Sequence, residues 1–191
     1  MIELMLEPHA ILLGMQIGMD LWLAFFAVYL CVQLASRHAG VPFVPTKSAA
    51  FPIIRDELEI VPGDIVYELG SGDGHFLVES ARLFPDTQFV GIERNPILYT
   101  LSLVRRFIGG NPKNLIFRRD DLFTAQYADA TKIYAYLLPE VMERIEPTFK
   151  GRHVRFASLA FRFKMKEPAN TVRVAQRDGA HNQHMLYIYN F

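Results

Sequence analysis

A chain of 191 residues, 51% of them apolar, is long enough for one domain with a substantial core plus an appendage. Its 20 basic residues balance its 20 acidic ones, so no overall charge bias points to nucleic acid. Cys31 is the single cysteine, which excludes a disulfide framework and a multi-cysteine metal site, and its apolar setting predicts a buried thiol.

Residues 10–34 form the most apolar stretch, with Gln16 and Asp20 inside it. About 24 helical residues at ~1.5 Å each reach across the ~30 Å hydrocarbon core of a bilayer. Glu3, Glu7 and His9 precede the stretch, while Arg37, His38 and Lys47 follow it; that polarity leaves the rest of the chain on the cytoplasmic side. An acidic start is unlike the basic n-region of a signal peptide. Gln16 and Asp20 keep a second reading open, a helix docked on the domain or on a second copy. The expectation is an N-terminal hydrophobic helix within residues 1–39 that anchors the chain in a membrane, followed by a second domain over residues 40–191.

Residues 40–46 carry Pro42 and Pro45, which force extended backbone. They serve either as a stiff linker or as a segment that lies across a pocket and supplies Phe43 or Thr46. A helix follows over 48–60, with Phe51, Ile54 and Leu58 at apolar spacing, and then a turn at 61–64. A strand at 65–69 runs into Gly70-Ser71-Gly72-Asp73-Gly74, and a helix reaches to about Phe84. A second strand, 88–92, ends in Glu93-Arg94-Asn95-Pro96, and a helix through Leu98, Leu101, Leu103, Val104 and Phe107 is closed by Gly109 and Gly110. Further strands are expected at 115–117, 132–137 and 153–161, with a helix over 141–149. Residues 173–176 and 184–189, separated by 177–180, read as a terminal antiparallel hairpin. Alternating strands and helices make this an α/β domain, a parallel sheet with helices on both faces.

The glycine turn is the chemical centre of the pattern. A strand feeding glycines that open a helix builds a nucleotide-binding corner, with free N–H groups at the helix start. The order here is E-x-G-x-G-x-G, not the dinucleotide G-x-G-x-x-G, and no G-x-x-x-x-G-K-[ST] occurs. A pyrophosphate is repelled by a carboxylate beside its cradle, whereas the ammonium and sulfonium of S-adenosylmethionine (SAM) are attracted to Glu68 and Asp73. Glu93, at the end of the next strand, is placed to accept from two ribose hydroxyls. Asp120 or Asp121, at the end of the third strand, is placed to accept from the adenine amino group. Open α/β sheets bind ligands at the carboxyl ends of their strands, and each of the first three strands delivers an acid there.

The motifs Glu68-Leu69-Gly70-Ser71-Gly72-Asp73-Gly74, Gly91-Ile92-Glu93-Arg94-Asn95-Pro96 and Asp121-Leu122-Phe123 resemble those of the class I SAM-dependent methyltransferases. More narrowly, Val41-Pro42-Phe43-Val44-Pro45-Thr46 and Tyr136-Leu137-Leu138-Pro139-Glu140-Val141-Met142 resemble the small protein-lysine methyltransferases. That family includes archaeal broad-specificity enzymes and membrane-anchored mitochondrial ones acting on the c-type subunit of ATP synthase. The resemblance covers roughly residues 40–161. It implies a Rossmann-like sheet of seven strands with the last antiparallel. It also implies that Glu68, Gly70, Gly72 and Asp73 hold the methionine moiety, Glu93 the ribose and Asp121 the adenine; with Thr46, Ser71, Gly74, Arg94, Asp120 and Leu122 beside them, these make up the expected cofactor-binding set. His75, where these enzymes commonly carry arginine, and Lys47, where many have a second proline, depart from the pattern.

For a lysine acceptor the amine has to arrive neutral, through desolvation or a nearby carboxylate. Tyr134 and Tyr136 would line an aromatic channel for it, and Glu140 would take its proton; ordinary packing and a first-turn helix position are the competing roles. Asn-Pro-Pro-Tyr, the signature of adenine or glutamine amide methylation, is absent, so no nucleic-acid acceptor is expected. The six histidines show no H-x-x-x-H or H-E-x-x-H spacing, so no metal is expected. The leading expectation is methyl transfer to lysine on a membrane or membrane-associated protein. A small-molecule or lipid methyltransferase and a non-catalytic SAM- or NAD-binding module are the alternatives.

Overall fold

The computed structural model describes residues 8–38, 43–174 and 184–191, and the chain falls into two compact units, Met1–Phe43 and Val44–Phe191. The first unit holds α1 (Pro8–His38). Its span His9–Cys31, 23 residues and ~35 Å long, is apolar and contains no buried residue. Trp22 stacks on Phe26 one turn later, ring centroids 5.5 Å apart. Cys31, expected to be buried, is exposed, like the rest of this span.

The second unit opens with a 3-10 turn, Ser48–Ala50, that runs into α2 (Phe51–Leu58). Then come β1 (Ile65–Leu69), α3 (His75–Leu83), β2 (Gln88–Glu93) and α4 (Pro96–Ile108). β3 (Leu115–Arg119) and β4 (Lys132–Ala135) follow without a helix between them. α5 (Pro139–Ile145) continues as a 3-10 turn, Glu146–Phe149, before β5 (Arg155–Leu159). β6 (Asn170–Val174) and β7 (His184–Asn190) close the chain.

The seven strands form one sheet in the order β3-β2-β1-β4-β5-β7-β6. β1 to β5 are parallel, and β7 is antiparallel to both β5 and β6. This is the Rossmann-like methyltransferase arrangement expected above. The strand order reverses between β1 and β4, so the crevice at their carboxyl ends is the natural ligand position.

Side chains alternate across the sheet. One face sets Val66, Phe89, Leu115, Phe117, Tyr134 and Ile188 against Phe51, Ile54 and Leu58 of α2 and Phe76, Leu77 and Ala81 of α3. The other face is aromatic: Phe149 meets Phe156, Phe156 meets Phe163 and Phe163 meets Tyr189, with centroids 4.8–5.1 Å apart. Edge-to-face contacts of this kind add to area burial, about 0.5–1.5 kcal/mol per pair. α5 and its 3-10 extension cover this face with the help of loops.

Local chemistry explains where elements stop. β5 ends at Leu159, two residues before the expected limit, because Ala160 turns to φ +70°. β4 ends at Ala135, not Leu137, as the chain turns toward Pro139 and the start of α5. β3 runs on to Arg119, still paired with Glu93 on β2. α4 starts where Asn95 Oδ1 accepts from the Ile97 and Leu98 N–H groups, with Pro96 at its first position. The expected hairpin is present, beginning earlier at Asn170; Gln176 and the turn at 177–180 lie outside the described residues.

Candidate active site

β1 delivers the chain into the glycine turn, where Gly70, Gly72 and Gly74 take φ of +74°, +54° and +75°. Side chains rarely adopt that conformation. Packing beneath the turn adds a second constraint. A Cβ on Gly74 would stand 2.4 Å from the Phe117 ring, and one on Gly91 would stand 2.5 Å from the same ring and 2.7 Å from Ser71 Oγ. Phe117, on β3, therefore seats both the turn and the strand behind it. Gly91→Ala should destabilise the domain by about 1–3 kcal/mol through overpacking, read as a fall in thermal midpoint of roughly 2–4 °C per kcal/mol. Phe117→Leu in that background should recover part of the loss; strictly additive losses would remove Phe117 as the cause.

Backbone bonds hold the turn against β2. The N–H groups of Gly70 and Ser71 both donate to Ile92 O, each at 2.9 Å. Gly72 N donates to Glu93 Oε2 at 2.9 Å, and Asn95 N donates to Glu93 Oε1 at 2.7 Å. One carboxylate thus ties the turn to the start of α4, and each of its oxygens keeps a further lone pair for a ligand. Asp73 is engaged by Arg105 of α4: Nη2 donates to its Oδ2 and Nε to its backbone oxygen at 3.1 Å. Its other oxygen accepts weakly from His75 N at 3.3 Å, so Asp73 shapes the turn as well as facing the site.

Glu68 lies at the floor. It is 7% exposed, and its Oε2 has no hydrogen-bond partner among the described residues, nor has the buried Ser71 Oγ. Burial pushes the Glu68 carboxyl well above the usual range, and the nearby charges of Asp73 and Glu93 push it further. Burial also raises Glu93, against the pull of its backbone donors. Three clustered acids, one of them buried and unpartnered, make a site complementary to a cation. A cationic sulfonium nucleoside with an amino-acid tail fits this set, and a pyrophosphate does not.

The other expected residues gather at the adjoining strand ends. Asp120 N donates to Glu93 O at 3.2 Å, which brings the β3 end beside β2. Arg94 Nη1 pairs with Asp121 Oδ2 at 3.1 Å, Asp121 Oδ1 accepts from Phe123 N at 3.0 Å, and Leu122 sits half-buried inside that turn. Asp120 is exposed and its Oδ1 accepts from Asp121 N.

A cavity of about 140 Å³ opens between Val44–Lys47 and Ala50 on one side and Tyr136, Leu159, Val174 and His184 on the other. Thr46 Oγ1 stands 2.6 Å from Tyr134 OH, and Tyr134 is the register neighbour of Glu68 across the β1–β4 ladder. Thr46 and Tyr134 thus link this slot to the acidic floor. Burial keeps both Tyr134 and Tyr136 neutral by raising their phenols. Glu140 is exposed in the first turn of α5 and is not among the slot's lining residues. His184, which the sequence suggested only as a hairpin residue, lines the slot with its ring 5.8 Å from that of Tyr136. Arg105, Phe117 and His184 carry no local sequence signal for these roles, since their partners lie far away along the chain.

A family model described as the ANTKMT methyltransferase domain matches residues 68–170. A protein-lysine N-methyltransferase of Saccharolobus islandicus (strain REY15A) is 27% identical over 152 residues, which cover 78% of this chain and 92% of that protein. A lysine N-methyltransferase of Rattus norvegicus, named for the C-type subunit of ATP synthase, is 30% identical over 113 residues, 59% of this chain and half of the rat protein. Among solved structures, an RNA methyltransferase from Salinibacter ruber in complex with S-adenosyl-L-homocysteine aligns with a TM-score of 0.68 and 27% identity, covering 77% of this chain and 93% of that one. With the seven-stranded sheet and the acid-lined glycine turn, these findings place the chain in the ANTKMT methyltransferase-domain family, as a class I enzyme that uses SAM.

Proposed function

We propose that this enzyme methylates lysine side chains, and that its substrate is a membrane or membrane-associated protein. In this reading residues 1–39 are the membrane anchor, residues 40–191 are the catalytic domain, and the domain faces the cytoplasm. The slot beside Tyr136 carries the proposal. Its ~140 Å³ is about the size of a cavity that takes a benzene ring. An unbranched aliphatic amine fits such a space, whereas a purine with its ribose exceeds it.

Bound in the cradle, SAM supplies an electrophilic methyl carbon. Glu68 and Asp73 hold the charged methionine end, with Ser71 Oγ and the backbone of Gly70, Gly72 and Gly74 around it. Glu93 accepts from the ribose. Asp120, Asp121 and Leu122 frame the adenine, and the Arg94–Asp121 pair closes that end. Thr46, fixed by Tyr134, borders both cradle and slot. An entering ammonium meets the face of Tyr136, and desolvation by Leu159, Val174 and Ala50 favours its neutral form. Tyr136 then orients the nitrogen for in-line attack. Glu140 stays a candidate proton acceptor only if the start of α5 moves on substrate binding.

Tyr136→Ala should lower kcat roughly 10- to 100-fold by misplacing the amine, with SAM affinity unchanged. Equal losses in SAM affinity and kcat would put Tyr136 in the cradle instead. The acceptor itself is tested with methyl-labelled SAM and the full chain incubated with membrane, soluble and RNA fractions. Methyl-lysine in acid hydrolysates of a discrete membrane-protein band is the expected product. Label confined to lipid, or to RNA as the name of the Salinibacter relative would have it, would overturn the lysine reading.

A further inference from the structure

The outer face of α4 is apolar where a surface helix is normally polar. Leu98 and Ser102 point inward and are buried, yet Leu103, Val104, Phe107 and Ile108 are exposed, the last two by 78% and 77%. Leu83, at the end of the neighbouring α3, is exposed as well. A helix that is apolar on all sides is ordinarily buried against a partner.

The charge around this face has one sign. Residues 96–119 contain Arg105, Arg106, Lys113, Arg118 and Arg119 and no acid, in a chain whose net charge is zero. Arg105 is engaged by Asp73, and Arg118 lies over the Tyr67 ring and donates to Tyr67 OH and Gln126 O, which leaves Arg106, Lys113 and Arg119. Acids resume at Asp120 and Asp121, at the cofactor edge, the second of them paired with Arg94.

We propose that the outer face of α4, with the adjoining edge of β3, docks on the surface of a bilayer containing anionic lipid. Val104, Phe107 and Ile108 sink to the boundary between headgroups and acyl chains, while Arg106, Lys113 and Arg119 meet the phosphates. A second copy is the poorer occupant, because a two-fold interface sets the same cationic rim against itself. A nucleic-acid backbone matches the charge but leaves large aliphatic and aromatic side chains against phosphate. The proposal rests on the tether only in that α1 brings the domain to the bilayer; the binding surface is its own. Docking restricts the slot to lysines presented near the membrane surface.

Trp22 on α1 is the chain's single tryptophan, so two reporters separate the two contacts. The wild-type full chain is reconstituted into vesicles of phosphatidylcholine and phosphatidylglycerol with brominated acyl chains, and Trp22 quenching reports α1. In a Trp22→Phe background, Phe107→Trp reports α4, and Met165→Trp serves as the comparison site, 85% exposed on the segment between β5 and β6. The expected result is blue-shifted, several-fold stronger quenching at position 107 than at 165. It should be lost in Lys113→Glu/Arg119→Glu and in vesicles of phosphatidylcholine alone. Equal quenching at the two positions overturns the proposal, as does a blue shift at 107 without quenching, which means that protein covers α4. Quenching at 107 that survives charge reversal overturns the anionic-lipid part. Unquenched Trp22 with quenched position 107 removes the anchor and leaves the docking face standing.

Discussion

Glu93→Ala should lower SAM affinity by more than ~100-fold, the largest binding loss expected from a single change in this domain. Two ribose hydroxyls donating to a carboxylate contribute about 1.5–3 kcal/mol each, and both are lost together. The same substitution releases the Gly72 and Asn95 N–H groups, at 2.9 and 2.7 Å in the wild type, so the glycine turn loses its tie to α4. Thermal stability of the ligand-free protein should therefore fall too. Glu93→Gln separates the effects. It keeps one acceptor oxygen and most of the packing, so stability should be nearly retained while affinity is intermediate. Titration calorimetry on both variants is the measurement. Undiminished affinity in Glu93→Ala would remove the ribose role altogether.

Glu68→Gln should move stability and binding in opposite directions. In the folded, ligand-free protein the Glu68 carboxyl is held well above its ordinary 4.5 by burial and by Asp73 and Glu93. Between 4.5 and that raised value the folded state keeps a proton that the unfolded chain has released. Stability therefore falls as pH rises through this window, and none of it is lost below the unfolded value. A neutral amide escapes the penalty, so Glu68→Gln should raise the melting temperature of the ligand-free protein near neutral pH. Relieving a buried, unpartnered charge is worth about 1–3 kcal/mol, or roughly 2–12 °C at 2–4 °C per kcal/mol. SAM affinity should drop ~10- to 100-fold, the cost of one charged contact. Wild-type affinity should strengthen as pH rises through the same window, because cation binding requires the carboxylate, and the variant should be flat. Calorimetry and thermal unfolding at acid and neutral pH read both effects. A variant that melts lower at neutral pH, or that keeps the pH dependence of binding, would show that Glu68 is not the group responsible.

The two substitutions act on neighbouring acids for different reasons. Glu93 is tied by backbone donors, whereas Glu68 Oε2 has none among the described residues. That contrast suggests a division of labour in which Glu93 builds the cradle and Glu68 waits for charge. Stability is given up at the second position for function, a pattern common at binding sites.

The alternation of strand and helix and the acids at three strand ends are legible in the residues alone. Short apolar runs such as Ile65-Val66-Tyr67 and Phe89-Val90 are bounded by Gly, Pro and Asp, and both periodicity and turn chemistry are local properties. In a parallel sheet every carboxyl end lies at one edge, so Glu68, Glu93 and Asp121 converge once the alternation is recognised. Element ends were less legible: β5 stops where Ala160 adopts a left-handed φ that no alanine announces. Contacts across the sheet were not legible at all. Arg105 reaches Asp73 from 32 residues away, Phe117 fills the space beneath Gly74 and Gly91, and His184 returns on β7 to line the slot with Tyr136. The apolar spacing of α4 marked a helix, but which of its sides would face the sheet, leaving Phe107 and Ile108 in the open, was a matter of packing. Local patterns specify the kind of element and its ends at the sheet edge, while tertiary structure alone decides which distant side chains meet, because those meetings depend on crossovers and strand order rather than on neighbours in the chain.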